Sequence, residues 1–452
     1  MYPTTTKKEK LLLLLKILGP ILVTQICMSL MNFFDTVMSG RVGTVDLAGV
    51  AIGSSLWLPI FTGINGILLA ITPIVSHLLG EKDSLNISKK VLQAIYISIT
   101  LAIIVILIGT ILLHPILQAM DLEASVRHIA YYYLVALGTG IIPLFIFNTL
   151  RSFIDALGQT RVSMFIIILS LPINLVLNYL FIFGKLGIPK LGGIGAGVAT
   201  ALTYWLVALI AIGIVIKVHP FNTYKIFSKW EKINKTDWIE QLKIGVPIGF
   251  AIFFETSIFS AVTILLSVFS TVTIAAHQAA MNAYSLLYMI PLSVGMALTI
   301  VISYELGARR FHDAKNYANI GISLGGLIAV FVGIILWLFS DSVAKLYNSN
   351  PEVIDLTTKF LLFAIILQLA DAFGAPLQGI LRGYKDVNVT LVMALVSFWV
   401  IGLPTGFILA NYTSLGPFGY WIGLIFGLSV GTTTLFFRYH YIQRQYKTRV
   451  QS

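Results

Sequence analysis

Three of the 19 acidic residues of the chain lie well inside apolar stretches. Asp35 lies in MNFFDTVMSG, Glu255 in AIFFETSIFS and Asp371 in LQLADAFGAP. A charged side chain at the centre of a bilayer costs about 2.5–3.5 kcal/mol on insertion scales, so these carboxylates are expected to face a wet cavity, to stay protonated or to hold a cation. Carboxyl groups that take up H⁺ or Na⁺ on one side and release it on the other would couple an ion gradient to transport.

Two of the three carboxylates are expected near the middle of the membrane. Glu255 is the only ionisable residue of 244–269, and Asp371 lies midway between Lys359 and Arg382. The third is closer to one end of its stretch. No Lys, Arg or His is expected at matching depth to neutralise the two central carboxylates. The alternative is a structural role, in which each carboxyl stays neutral and is hydrogen-bonded to a neighbouring helix.

The composition indicates a membrane protein. Of the 452 residues, 57% are hydrophobic and 11% are charged, whereas soluble domains have about 25% charged residues. The mean hydropathy is +0.90, which is too apolar for a soluble domain. The net charge of +11 could suggest nucleic-acid binding, but the basic residues lie in the short breaks between apolar stretches, and we expect no nucleic-acid partner. The single cysteine, Cys27, excludes an intrachain disulfide.

Twelve hydrophobic stretches are long enough to cross a bilayer as helices, which takes about 20 residues. Their approximate limits are 14–38, 47–76, 91–113, 129–150, 162–184, 194–216, 244–269, 274–303, 317–340, 353–378, 390–411 and 418–438. Several contain proline, which predicts kinks; these prolines are Pro20, Pro73, Pro143, Pro172, Pro247, Pro291 and Pro404. The sequence KKEKLLLLLKILGP resembles a signal peptide, but no cleavage pattern follows, and we expect a retained first span.

The basic residues predict the orientation of the spans. Most of the 30 Lys and Arg residues lie in the even-numbered breaks and near the two termini. The odd-numbered breaks hold only Arg41, Arg127, Lys185, Lys190, Lys345 and Lys359. Because cytoplasmic loops carry an excess of Lys and Arg, we expect a multi-pass protein of the plasma (inner) membrane with both termini in the cytoplasm.

The chain contains an internal repeat. Without gaps, it aligns with itself at a constant offset of 227 residues. The matches include Leu15-Lys16-Ile17 with Leu242-Lys243-Ile244, Pro20 with Pro247, Thr44-Val45 with Thr271-Val272, Ser76 with Ser303, and Leu79-Gly80 with Leu306-Gly307. Further on, at an offset of about 225, DALGQT (155–160) meets ILRGYKD (380–386) through Gly158 and Gly383. The constancy of the offset indicates a duplicated half.

The repeat predicts two lobes. The longest polar break, 217–238, follows the sixth stretch, so we predict an N-terminal lobe of residues 1–216, a cytoplasmic linker of 217–241 and a C-terminal lobe of 242–452. Because six spans is an even number, both lobes enter the membrane the same way round, related by a pseudo-two-fold axis along the membrane normal with a cleft between them. The predicted fold class is an all-α polytopic membrane protein of twelve transmembrane helices, built for alternating access.

Several segments carry a family resemblance. They are Pro20 with Asp35 in the first span, PINLVLNYLFIFG (172–184) in the fifth, GIGAGVATALTYW (193–205) in the sixth, Glu255 in the seventh, Asp371 in the tenth, and QGILRGYKD (378–386) after it. On these segments the chain resembles the multidrug and toxin extrusion (MATE) transporters, and specifically their bacterial NorM-type branch, over essentially its whole length. The resemblance implies a MATE/MOP-type fold and a secondary active antiporter that exports amphiphilic organic cations, drugs and dyes, in exchange for Na⁺ or H⁺.

The same resemblance implies roles for particular residues. Glu255 and Asp371 correspond to the cation site of the C-terminal lobe and are candidate Na⁺ ligands, and Tyr288 corresponds to an aromatic residue beside them. Apart from the coupling ion and the lipid bilayer, the sequence indicates no cofactor and no obligate protein partner. Tyr284 lies one turn before Tyr288, and over a cavity both rings would attract organic cations; ordinary aromatic packing is the alternative.

A second polar site is implied for the N-terminal lobe. Asp35, Asn174, Asn178 and Thr200 correspond to its members. Asn178 stands where archaeal relatives have an aspartate, and Leu367 of the other lobe stands where some relatives have a tyrosine near the ion. These two departures leave the choice between Na⁺ and H⁺ open.

Other functions would require different residues. A flippase for lipid-linked oligosaccharide, from a related two-lobed architecture, would need a cationic cavity for the pyrophosphate, whereas this sequence offers acidic mid-span residues. An enzyme would need a nucleophile–base or metal constellation, and an ATP-driven pump a phosphate-binding loop, so we expect neither. A channel is a further alternative, although a duplicated half with kinked helices favours rocking lobes. His277 is more typical of a hydrogen-bonded packing residue than of a proton relay.

Overall fold

The computed structural model describes residues 3–451, and within them it is helical, without a β-strand. The helices are α1 (Lys7–Val42), α2 (Thr44–Leu68), α3 (Ile71–Glu81), α4 (Ser84–Ala119), α5 (Ala124–Gly138), α6 (Ile141–Ala156), α7 (Thr160–Phe183), α8 (Gly193–Lys217), α9 (Lys235–Leu266), α10 (Thr271–Gly307), α11 (Phe311–Tyr347), α12 (Pro351–Gly383), α13 (Asn388–Ala394), α14 (Leu403–Tyr412) and α15 (Phe418–Gln451). A π-helical segment, Leu395–Gly402, joins α13 to α14.

The helices confirm an all-α polytopic membrane fold. In the part of the chain that the structure describes, 11 helical runs are long and apolar enough to cross a membrane. Counting the bent pair α5–α6 as one further span gives up to 12. This number agrees with the twelve spans that the hydrophobic stretches predict.

Two prolines explain where predicted spans are broken. Pro73 and Pro143 are each the third residue of a helix, α3 and α6. A proline ring clashes with the carbonyl four residues earlier and lacks an N–H for the hydrogen bond. The affected positions are Leu69 and Thr139, and both lie in the short gaps that separate α2 from α3 and α5 from α6. At the second gap the helix axis bends by 52°.

The chain forms two compact units whose boundaries fall inside helices. The N-terminal unit is Gly19–Gly245, and the C-terminal unit consists of the described residues up to Leu18 together with those from Val246 onward. The chain therefore passes from one unit to the other within α1 and within α9. The partition at 216 and 242, which was drawn from the sequence repeat, stays a prediction.

The repeat is visible in where helices begin. Equivalent helices start 227 residues apart, namely α2 and α10 at Thr44 and Thr271, α4 and α11 at Ser84 and Phe311, and α5 and α12 at Ala124 and Pro351. One tertiary hydrogen bond is repeated as well. Ser76 Oγ donates to the Ala156 carbonyl at 3.0 Å in one unit, and Ser303 Oγ donates to the Gly383 carbonyl at 3.1 Å in the other. The two halves thus share these helix starts and an internal contact.

The turns that follow these helices correct one sequence alignment. Lys82 and its counterpart Arg309 both take left-handed conformations, with φ of 63° and 57°. Gly158 has φ of 76°, and the left-handed residue of the other half is Lys385, with φ of 58°. The offset of about 225, which paired Gly158 with Gly383, is therefore wrong, because the backbone keeps the offset of 227 through this turn. The alignment of Gly158 with Gly383 matched two glycines, but in the second copy the left-handed position is occupied by a lysine, Lys385.

The segment predicted as a cytoplasmic linker, 217–241, packs on the N-terminal unit. Phe221 is buried, and its ring centroid lies 6.2 Å from that of Phe153. Farther along, Gln93 Nε2 donates to the carbonyl of Lys232 at 2.9 Å. The segment is therefore anchored at both its beginning and its end.

Helix α1 begins with a capping box and a buried lysine. Thr6 Oγ1 accepts from the Glu9 N–H at 3.2 Å, and a Glu9 carboxylate oxygen accepts from the Thr6 N–H at 3.3 Å, which satisfies two free donors of the first turn. One residue later, Lys10 is only 1% exposed. Its Nζ lies 2.9 Å from Asp313 Oδ1 and 5.7 Å from the ring centroid of Tyr317. These contacts fix the start of α1 to α11.

The N-terminal unit has a related ion pair with the charges exchanged. The residue that corresponds to Lys10 at the repeat offset is Asp237, and the residue that corresponds to Tyr317 is Lys90. Lys90 Nζ lies 2.7 Å from Asp237 Oδ1 and also contacts Glu240. In each unit, an ion pair thus holds the first turns of one copy's first helix on the third long helix of the other copy.

Replacing Lys10 by alanine is expected to destabilise the protein by about 2 kcal/mol, because the partly buried Asp313 loses its counter-charge. The matched control is Lys8→Ala, which removes an exposed lysine of the same turn and should change stability by less than about 0.5 kcal/mol. The measurement is the melting temperature of the detergent-purified protein. Equal melting temperatures for the two variants would contradict the anchoring role.

Candidate functional site

The structure brings Glu255 and Asp371 onto one pair of tyrosines. Glu255 lies on α9, Asp371 on α12 and the tyrosines on α10, and both carboxylates are buried. Tyr288 Oη donates to Glu255 Oε1 at 3.0 Å, and Tyr284 Oη donates to Asp371 Oδ2. The tyrosine rings lie one helical turn apart and stack with centroids 6.2 Å apart. Four residues that the sequence singled out thus form one site in the C-terminal unit.

The sequence places no basic residue at the depth of the two carboxylates, but Arg382 at the end of α12 is connected to one of them. This residue is nearly buried, at 9% exposed, in the last turn of α12. Its Nη2 donates to Gln378 Oε1 at 3.2 Å, and Gln378 Nε2 lies 3.5 Å from Glu255 Oε2. An amide therefore connects the guanidinium to the carboxylate, and Glu255 has a cation behind it that Asp371 lacks.

Helical spacing could have found the two missed residues. Gln378 and Arg382 follow Asp371 by seven and eleven positions, and this spacing places all three near one face of a helix. The predicted span ends at about residue 378, whereas α12 continues to Gly383. A hydropathy limit thus separated residues that the helix aligns.

The N-terminal unit has the same three-residue contact with different chemistry. At the repeat offset, Glu255, Gln378 and Arg382 correspond to Met28, Arg151 and Asp155. Here Arg151 Nη1 lies 3.3 Å from Met28 Sδ, and Arg151 Nε lies 3.6 Å from Asp155 Oδ2.

The geometry is therefore repeated, but the acid stands at the opposite end of the contact, and the order carboxylate–amide–guanidinium becomes thioether–guanidinium–carboxylate. The Glu255–Gln378–Arg382 contact of the C-terminal unit therefore has no chemical copy in the N-terminal unit.

The N-terminal unit has its own polar site around Asp35. Asn178 Nδ2 donates to Asp35 Oδ1 at 2.6 Å, and Thr200 Oγ1 donates to Asp35 Oδ2 at 2.9 Å. Asn178 also donates to Asn174 Oδ1 at 3.1 Å, and Asn174 Nδ2 lies 3.5 Å from Thr203 Oγ1. The side chains come from α1, α7 and α8. All four residues that the sequence assigned to this site lie together, with Thr203 as an addition.

The Asp35 site is held by neutral groups. Among the described residues, no ion pair includes Asp35, and Asn178 Oδ1 is buried without a hydrogen-bond partner. A buried carboxylate with only neutral donors keeps an uncompensated negative charge, and an unused amide oxygen beside it is a further acceptor. The site could therefore take up a proton or a small cation.

Both sites offer oxygen atoms to a cation. Carboxylate, amide and hydroxyl oxygens suit hard cations, whereas soft metals prefer sulfur or imidazole. Within residues 3–446, no three His, Cys, Asp or Glu side chains are grouped as the ligands of a metal ion would be. Beside the Glu255–Asp371 pair the further oxygen atoms are the hydroxyls of Tyr288 and Tyr284. Gln378 presents its amide N–H to Glu255, and its oxygen accepts from Arg382.

His277 takes part in packing and not in either site. It is fully buried, and Trp421 Nε1 donates to its Nδ1 at 3.1 Å. Its Nε2 lies 3.0 Å from Thr263 Oγ1, whose own proton goes to the Phe259 carbonyl at 2.9 Å. Nε2 therefore carries the ring proton and the imidazole is neutral. This geometry agrees with the interpretation of His277 as a packing residue.

Comparison with known proteins gives consistent relatives. A family model described as MatE matches residues 20–180 and 247–408, so it matches once in each half. The chain is 63% identical over 445 residues to a protein of Oceanobacillus iheyensis named "Probable multidrug resistance protein NorM", covering 98% of this chain and 100% of that protein. It is 54% identical over 449 residues to a protein of the same name in Bacillus subtilis, covering 99% of each.

Solved structures share the fold. One is described as the outward-facing conformation of a multidrug resistance MATE family transporter of the MOP superfamily, with a TM-score of 0.87, 19% identity and coverage of 99% of this chain and 100% of that one. The eukaryotic MATE transporter AtDTX14 has a TM-score of 0.84 and 22% identity, with coverage of 98% and 99%. These similarities confirm the predicted MATE/MOP-type architecture.

The Asp35 network predicts the effect of removing one hydroxyl. Thr200→Val keeps the side-chain shape but leaves Asp35 Oδ2 without its donor, so we expect a loss of stability of about 1–3 kcal/mol. The matched control is Thr149→Val, because the buried Thr149 hydroxyl donates to the Phe145 carbonyl of its own helix and takes no part in the Asp35 network. Thermal unfolding of the purified variants measures the difference. A Thr149→Val variant that is as unstable as Thr200→Val would contradict the assignment.

Proposed function

Since the chain belongs to the MatE family, we propose that it is a secondary active multidrug efflux antiporter, which exports amphiphilic organic cations in exchange for Na⁺ or H⁺. The observation that carries this proposal is the buried Glu255–Asp371 pair on the stacked tyrosines. Two buried carboxylates held on adjacent tyrosines of a membrane-spanning bundle attract a positive charge. The free energy of binding a coupling ion there can be linked to an ion gradient across the membrane.

The proposed location is the plasma (inner) membrane, with both termini in the cytoplasm. The membrane-spanning helices and the family support a multi-pass protein. The excess of Lys and Arg near the termini and in the even-numbered breaks supports the orientation. In this orientation Arg382, at the end of α12, lies towards the cytoplasm. The two carboxylates lie nearer the middle of the membrane, so an ion from outside would reach them before it reached Arg382.

In the proposed cycle, the coupling ion enters from outside and binds between Glu255 and Asp371. The hydroxyls of Tyr288 and Tyr284 orient the two carboxylates. Arg382, acting through Gln378, balances part of the negative charge when the ion has left. Because the Gln378 amide lies between the Arg382 guanidinium and Glu255, this positive charge lowers the affinity of the site for cations but does not prevent a cation from binding.

An organic cation from the cytoplasm would compete for the same negative charge. A carboxylate pair that is already neutralised by a coupling ion attracts a cationic drug less, and this mutual exclusion produces exchange. The stacked faces of Tyr284 and Tyr288 give a flat cation an aromatic surface, with an attraction of about 0.5–2 kcal/mol. The relatives named as multidrug resistance proteins support this substrate class.

The buried arginines do not favour the flippase alternative. Such a protein would need free cationic groups for a pyrophosphate. Here Arg151 is paired with Asp155, and Arg382 is directed to Glu255 through an amide. Both guanidinium groups are thus already committed to acidic partners of the chain.

The double variant Glu255→Gln, Asp371→Asn is expected to lose active ethidium efflux, because both amides are neutral and cannot exchange a cation. The measurement is ethidium fluorescence in bacterial cells that lack their own efflux pumps, with surface expression checked by immunoblot of the membranes. The control is Asp355→Asn, which removes an exposed carboxylate of α12, the helix that carries Asp371. This variant should leave efflux unchanged. Wild-type efflux by a normally inserted double variant would disprove the role of the pair.

The coupling ion can be identified in proteoliposomes with the Na⁺ and pH gradients imposed separately. We expect one gradient to drive dye transport and the other to have little effect, and the Glu255→Gln, Asp371→Asn variant to respond to neither. The readout is dye accumulation in the first seconds after the gradient is imposed. Transport by the wild-type protein that is the same with and without either gradient would contradict antiport.

A further inference from the structure

A groove of about 310 Å³ lies in the C-terminal unit between the start of α1 and the first turns of α11. Its polar side is formed by Lys7, Asn316, Asn319 and Ser323. Its apolar side includes Leu11 and Leu327. None of these residues belongs to the two sites described above.

The walls of this groove are fixed to each other. Lys10 of α1 pairs with Asp313 of α11 at 2.9 Å. Just before α1, Thr4 Oγ1 lies 2.9 Å from the hydroxyl of Tyr317. Because these contacts lie beside the groove, its width is set by the fold.

The groove changes from polar to apolar along α11. The charged residues of this helix lie near its two ends, with Asp313 and Lys315 at one and Asp341 and Lys345 at the other. At 1.5 Å per residue, a hydrocarbon core of about 30 Å centred between them would begin close to residue 319. Asn316 then lies at headgroup depth, and Ser323 lies just inside the core.

The polar groups at the core boundary have unused hydrogen-bonding capacity. Asn319 accepts from the Tyr439 hydroxyl at 3.4 Å, and both Asn319 and Ser323 are exposed. In the described part of the chain, neither the Asn319 amide nitrogen nor the Ser323 hydroxyl donates a hydrogen bond to another side chain. Hydrocarbon offers no partner to such groups, so an acceptor from a bound molecule would be favoured. Beyond them Leu327 is 71% exposed.

We propose that this groove is a binding site for one anionic phospholipid of the cytoplasmic leaflet. The lipid phosphate lies against Lys7 and Asn316, the glycerol ester carbonyls accept from Asn319 and Ser323, and an acyl chain follows Leu11 and Leu327. The order of charged, polar and apolar groups in the groove matches the order of those parts in the lipid. The inference rests on the orientation given under Proposed function, and it is independent of the coupling mechanism.

The test is native mass spectrometry of the full-length protein in a mild detergent, titrated with dioleoyl phosphatidylglycerol. We expect one lipid to be retained preferentially over dioleoyl phosphatidylcholine, and Lys7→Gln to weaken that binding about fivefold, as the loss of one lysine near a lipid phosphate should. Lys8→Gln, which removes an exposed lysine that does not line the groove, should bind like the wild type. A second variant, Asn319→Leu with Ser323→Leu, should also weaken retention.

Two further arms distinguish the lipid from its headgroup and locate the site. A photoreactive phosphatidylglycerol should label peptides of 311–327, and glycerol 1-phosphate at millimolar concentration should not prevent the labelling. Equal effects of Lys7→Gln and Lys8→Gln, labelling confined to other helices, or full competition by glycerol 1-phosphate would each overturn the proposal. Because lipid retention is measured without transport, the outcome is separate from that of the efflux experiments.

Discussion

The constraint on which the structure depends is that a carboxylate buried in a membrane protein must be compensated by hydrogen bonds or by positive charge. Three side chains meet this constraint in three ways. Asp35 is surrounded by neutral donors from Asn178 and Thr200, Asp371 accepts from Tyr284, and Glu255 accepts from Tyr288 and lies one amide away from Arg382. Hydrogen bonds lower the cost of burial but do not remove the charge. Under the proposed function, the negative charge that remains is what attracts the coupling ion.

The duplication supplies a common scaffold, and substitutions make the two copies different. Helix starts, left-handed turns and the serine–carbonyl hydrogen bond are repeated at one offset. The acids are not repeated. The counterpart of Glu255 is Met28, that of Asp371 is Leu144, and that of Asp35 is Val262. A repeated backbone requires only compatible packing, so polar chemistry could be placed in one copy and left out of the other.

Much of the fold could be predicted from the sequence because the membrane imposes a simple rule on length and hydropathy. The spans and their number followed from that rule, and the mid-span acids stood out because so few residues there are ionisable. The repeat was visible separately, in residue matches at the constant offset of 227. Hydropathy could not reveal that α12 extends beyond its apolar stretch, and so it missed Arg382. It also could not distinguish the helix breaks before Pro73 and Pro143 from continuous helices with proline such as α10, since neighbouring helices decide that outcome.

Because both crossings between the compact units lie inside α1 and α9, the units are joined by continuous helices and not by loops. Both places hold a glycine and a proline, Gly19 with Pro20 and Gly245 with Pro247, and each proline removes one backbone hydrogen bond. A Cβ on Gly245 would lie 2.4 Å from the Ile67 carbonyl oxygen, so a larger residue could not replace it without displacing that backbone. In each of the two helices, a proline thus interrupts the backbone hydrogen bonding within two residues of the point at which the chain leaves one unit for the other. The two prolines, Pro20 and Pro247, match at the repeat offset, so the duplication has placed the same local weakness of the helix at both crossings.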